Sequence, residues 1–110
     1  MDIAVDRRED GVVLAIAGRM DALTAPELEK VVRTLVDDGV AAVVADLSGL
    51  EYISSAGLRS ILASAKMLRA GGGKLGFCGL DGMVREVFQV AGLENMFTVT
   101  ATAGETFAAL

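Results

Sequence analysis

The stretch that most limits the fold is Val40 to Leu47, which reads Val-Ala-Ala-Val-Val-Ala-Asp-Leu, an almost unbroken apolar run of strand length. A strand without polar alternation has both faces covered, which is the pattern of a central strand in a mostly parallel sheet. Such strands need helical crossovers, and the flanks supply them. Upstream, Leu28, Val31, Val32 and Leu35 recur at helical spacing. They follow Thr24-Ala25-Pro26-Glu27, where a capping threonine, an early proline and a glutamate predict a helix start. Gly39 closes that helix. Downstream, Ser48 to Ile53 reads as a loop into a second helix, whose Leu58, Ile61, Leu62 and Ala65 form the expected inward stripe. Gly71-Gly72-Gly73 ends it.

The remainder continues the alternation. Ile3 to Asp6 and Gly11 to Ala17 read as an opening hairpin, and Lys74 to Gly79 as a short strand. Asp81 is placed to cap a third helix bearing Val84, Val87 and Phe88, and Phe97 to Thr100 reads as a last strand before a C-terminal helix. The expected order is ββαβαβαβα, an α/β fold with a mixed, mostly parallel sheet of four or five strands and about four helices. At 110 residues it is read as a single domain, 1–110.

Hydrophobic residues make up 53% of the chain, enough for a core and unlike a disordered composition. The net charge of −5 and scattered basic residues oppose nucleic acid and anionic lipid as partners. No apolar run approaches the roughly 20 residues of a membrane span. Met1-Asp2-Ile3 lacks the basic start of a secretion signal, so a cytoplasmic location is expected. Nothing in this acidic domain calls for an obligate oligomer, and a monomer is expected when free. The single cysteine, Cys78, lies in the apolar run Leu75-Gly76-Phe77-Cys78 and reads as a packing residue.

The chain has no histidine, which removes histidine-dependent triads and the common zinc sites. Lys66 as a base for Ser55 fails on distance, since eleven helical residues span roughly 16 Å. The glycines before Lys74 lack the spacing and the following hydroxyl of a phosphate loop, and read as a helix stop. Asp46 and Glu51 have no third acid at ligand-like spacing. No catalytic residue, metal or cofactor is therefore assigned, and an enzyme is not expected.

What remains is Asp46-Leu47-Ser48-Gly49-Leu50-Glu51-Tyr52-Ile53-Ser54-Ser55-Ala56-Gly57-Leu58-Arg59, in which a buried strand leads to two serines at a helix start. Capping accounts for one serine. This stretch resembles the signature of the STAS domain family of sulfate transporters and anti-sigma factor antagonists. The resemblance covers essentially the whole chain, because Gly18-Arg19-Met20-Asp21 and Gly92-Leu93 also resemble family turns.

The resemblance implies phosphorylation two positions before the Gly-Leu pair, at Ser55 in preference to Ser54, which stands where many members carry aspartate. Ala56 replaces a second hydroxyl found in some members. It further implies partner switching, in which the unmodified protein binds an anti-sigma factor serine kinase and frees a sigma factor. Phosphorylation ends that binding, and a type 2C serine phosphatase restores it. The expected partner face comprises Asp21, Ser54, Ser55, Ala56, Gly57, Arg59, Ser60, Ala63 and Lys66, with Arg59, Ser60, Ala63 and Lys66 exposed on the second helix. Arg59, four residues after Ser55, is within helical reach of a phosphate there. The competing functions are a regulatory subunit of an anion or lipid transport complex and a component of a signalling scaffold.

Overall fold

The computed structural model describes residues 1–110. Strands β1 (Asp2–Arg8) and β2 (Gly11–Met20) form the opening hairpin, followed by α1 (Ala25–Asp37), β3 (Ala42–Ile53) and α2 (Ser55–Ala70). The chain continues through β4 (Lys74–Cys78), α3 (Gly82–Val90), α4 (Leu93–Met96), β5 (Val99–Thr100) and α5 (Ala103–Ala109). One five-stranded sheet results, ordered β1-β2-β3-β4-β5. Only β1 against β2 is antiparallel. The other pairs are parallel, as the apolar run at its centre requires.

One face of the sheet carries the main core. Leu14, Ile16, Val43, Leu47 and Phe77 are buried there beneath α1, α2 and α3, and the Phe77 ring meets Phe88 and Phe97 edge-on at 5.2 Å. On the other face a smaller cluster, Val13, Val44 and Cys78, lies under Ala103, Phe107 and Leu110 from the end of the chain. Cys78 is buried and free, as its apolar surroundings predict. No helix is long and apolar enough to cross a membrane.

Several sequence expectations are corrected. Ser48 to Ile53 is the continuation of β3 rather than a loop. It pairs with β2 as far as Met20↔Ile53 through two register shifts, each placing an extra residue in β3. The last strand shrinks to Val99–Thr100, the two residues that pair with β4, and a one-turn helix, α4, precedes it, so the order is ββαβαβααβα with five helices. At the start of α1 the Thr24 side chain makes no cap. Its hydroxyl donates instead to the Arg19 carbonyl at 2.9 Å, and the carboxylate of Asp21 accepts the Leu23 and Thr24 N–H groups of the turn before the helix.

The inward stripe of α2 also differs from expectation. Gly57, Ser60, Ile61, Ser64, Ala65 and Leu68 are buried, whereas Leu62 is 39% exposed. The helix lies over the sheet and against α1 at once, so its covered sector widens toward α1 and is filled there by small residues. Leu62 falls on the opposite flank.

Candidate functional site

The site is assembled where β2 and β3 end together. The Met20 carbonyl accepts the Ser54 N–H at 2.9 Å, fixing the turn after β2 beside the start of α2. Gly57 is pressed against the same carbonyl. A Cβ on Gly57 would stand 2.9 Å from the Met20 oxygen and 2.8 Å from Ile53 Cγ1, so only glycine lets the first turn of α2 seat this closely.

The two serines divide the work. Ser54, extended at φ −93 and ψ 174, is the N-cap, and its Oγ accepts the Gly57 N–H at 3.1 Å. That leaves Ser55 as the first residue of the helix, exposed, with its hydroxyl engaged by no other group of the protein. The cap fixes the backbone, and the neighbouring hydroxyl is free for something else.

Asp21 sits in the adjoining turn with its Oδ1 accepting the N–H groups of Leu23 at 3.0 Å and Thr24 at 3.1 Å. The Thr24 hydroxyl lies 3.2 Å away. The Thr24 N–H, more than the others, holds this carboxyl below its ordinary value, aided by Leu23, the Thr24 hydroxyl and the Arg19 charge and opposed by partial desolvation. Arg19 stacks over the Tyr52 ring at 4.1 Å. The same bonds present Leu23, 92% exposed, at the edge of the site.

The outer ridge of α2, Ser55, Arg59, Leu62 and Lys66, follows from helical spacing, and all four residues are exposed. Troughs run along both sides of it. Toward α1, a depression of about 400 Å³ is lined by Ala22, Pro26, Glu29, Ala56, Arg59 and Ala63, among others. Toward α3, one of about 320 Å³ is lined by Leu58, Glu86, Val87, Val90 and Ala91. Val90 is 91% exposed there.

Of the residues expected at a partner face, Asp21, Ser54, Ser55, Ala56, Arg59 and Ala63 come together, and Lys66 lies three turns along the ridge. Ser60 is not on the surface. It is buried, and its hydroxyl donates to Glu29 Oε2 at 2.7 Å, tying α2 to α1. Gly57 is buried as well and acts through packing. The apolar side chains Leu23, Leu58, Leu62, Val87 and Val90 were not singled out for the site. Val84, Val87 and Phe88 make the inward stripe of α3, and Val90, six residues after Val84, falls outside it at helical spacing.

A mixed sheet with helices massed on one face, whose site is built of serine, arginine and apolar side chains, defines a small α/β interaction domain. A family model described as STAS domain matches residues 2–106, and the chain belongs to that family. It is 39% identical over 99 residues to a Bordetella bronchiseptica protein named as the anti-sigma factor antagonist BtrV, covering 90% of this chain and 85% of that one. It is 31% identical to the anti-sigma-F factor antagonist RsfB of Mycobacterium tuberculosis, covering 82% and 73% of the two chains. Among solved structures, an anti-sigma factor antagonist from Mycobacterium paratuberculosis superposes with a TM-score of 0.86 at 28% identity, covering 98% of this chain and 92% of that one. The fold is shared with unphosphorylated SpoIIAA, with a TM-score of 0.80 at 22% identity over 94% and 91% of the two chains. These relatives carry the names of regulatory binding proteins, not of enzymes.

Proposed function

We propose that this chain is an anti-sigma factor antagonist whose binding is switched by phosphorylation of Ser55. In the unmodified form it docks on an anti-sigma factor through the ridge of α2 and releases the sigma factor held there. In the modified form it does not dock. The observation that carries this reading is the division of labour at the start of α2. Ser54 does the capping, so Ser55 offers a free, exposed hydroxyl on a rigid first turn. The names of the relatives support the same reading.

Modification transfers the terminal phosphoryl group of ATP to Ser55 Oγ. The Oγ–P bond forms, the bond to ADP breaks, and the hydroxyl proton passes to a base on the kinase. The product carries about −1.5 to −2 charge at pH 7, beside backbone N–H groups and the positive end of a 16-residue helix. The fold accommodates that charge, whereas a partner surface closed over Ser55 cannot. A serine kinase activity in the anti-sigma factor and a type 2C phosphatase complete the cycle.

Docking on this ridge brings Leu62 and the α3 trough against the partner. Val90 is nearly free of contacts within the protein, so Val90→Asp leaves folding intact and weakens anti-sigma factor binding by about tenfold or more. Intact-mass measurement after incubation with ATP and the host's anti-sigma kinases tests the switch. One phosphate is gained by the wild type and none by Ser55→Ala. The absence of both phosphorylation and binding with every one of them would overturn the proposal in favour of a transport or scaffold role.

A further inference from the structure

Among the first eleven residues of α2, Ser55 to Ala65, the only cation is Arg59. It is exposed, and it belongs to none of the ion pairs of the structure, which join Arg7 to Asp38, Arg8 to Asp6 and Arg85 to Glu94. The acids around it are committed or set apart. Glu29, across the trough toward α1, holds the Ser60 hydroxyl at 2.7 Å. Asp21 is turned into its own loop, accepting from Leu23 and Thr24. Glu86 of α3 lies in the trough on the far side, with Leu58 and Val87.

An uncommitted guanidinium thus stands one turn after an uncommitted hydroxyl. Helical side chains lean toward the N-terminus, and positions four apart are neighbours, with Cβ atoms about 5–6 Å apart. An anion N-terminal to its cation is the favourable orientation for such a pair. A phosphate on Ser55 offers three acceptor oxygens, and the planar guanidinium can give two parallel N–H bonds to them.

We propose that Arg59 is the internal receptor of the phosphate on Ser55. Modification then acts twice on the partner face, adding negative charge to the ridge and withdrawing the cation that the unmodified ridge displays. The inference rests on Ser55 being the residue modified.

The test places phosphoserine at position 55 during translation, so that no kinase is needed, and follows its second ionisation by phosphorus NMR. Arg59 favours the dianion and lowers that pKa from its usual value of about 6. Arg59→Ala should therefore raise it by about 0.3 of a pH unit, from the strength of an exposed pair four residues apart. Arg59→Lys should give a smaller rise, and Arg69→Ala, on the same helix but remote, none. Equal pKa values in the wild type and Arg59→Ala would overturn the proposal, as would an equal rise in Arg69→Ala. A failure of kinases to modify Ser55 would sink the functional reading while leaving this titration interpretable.

Discussion

Ser54 and Ser55 are chemically identical neighbours, and the backbone alone separates their roles. A cap needs an extended residue whose side chain reaches the N–H three residues on. Ser54 has that geometry, and Ser55 is already helical. Ser54→Ala should therefore cost about 1 kcal/mol in urea denaturation, while Ser55→Ala should change stability by no more than about 0.5 kcal/mol. Equal losses for the two would mean that both serines are structural. The sequence places two hydroxyls at a helix start but cannot say which one caps, because that depends on where the backbone turns from extended to helical. Asp21 poses the same problem. As a residue after a strand it reads as a turn acid, and only the structure shows its carboxylate gathering the Leu23 and Thr24 N–H groups in the turn that leads into α1. Its folded pKa lies below the ordinary 3.8, so its contribution is present above that value and lost as pH falls through the folded pKa. The stability gap between wild type and Asp21→Asn should then be wider at pH 7 than at pH 3. A gap that stays constant with pH would show that the charge is not what matters there.

Among the elements, β3 shows how a pattern reading fails. Val43, Ala45 and Leu47 alternate toward the core at the strand period, but the next buried positions are Leu50 and Ile53, three residues apart. Each bulge adds a residue and breaks the alternation, so the second half of the strand looks like a loop in sequence. It is nevertheless the half that carries the chain to Ser54. The helices were more legible, because α1 and α3 bury a single stripe, whereas α2 is covered on two sides. The C-terminal helix α5 is held differently again. Thr106 Oγ1 donates to the Phe77 carbonyl at 3.1 Å and lies 2.7 Å from Thr100 Oγ1, anchoring a seven-residue helix over Cys78. Burial first, and the Asp46 charge second, push the Cys78 thiol up to about 11, so the native protein should react slowly with thiol reagents at pH 8. Thr106→Val removes the anchoring hydroxyl at a cost of about 1 kcal/mol, and native-state labelling of Cys78 should quicken about fivefold. An unchanged rate would indicate that α5 opens only when the whole sheet does.

At the scale of the whole molecule, every part of the proposed switch lies at one end of the sheet, where β2 and β3 deliver their chain to α1 and α2. The starts of β3 and β4, the end of α2 and the α5 layer lie elsewhere and touch none of it. A phosphate on Ser55 has no route into the core, since the first turn of α2 is fixed from beneath by Gly57 on the Met20 carbonyl and from one side by Ser54. Close-packed interiors resist small continuous displacements, and Gly57 leaves the first turn of α2 no slack against the Met20 carbonyl. The expected consequence is a switch read at the surface. Backbone amide shifts on phosphorylation should be confined to Met20–Thr24 and Ser54–Leu62, with the residues of β4 and α5 unmoved. The charge should also weaken binding without destabilising the free domain. Widespread shifts reaching Phe77 or Thr106, or a fall in thermal stability of the modified protein, would instead place the switch inside the fold and assign the loss of binding to a rearranged α2.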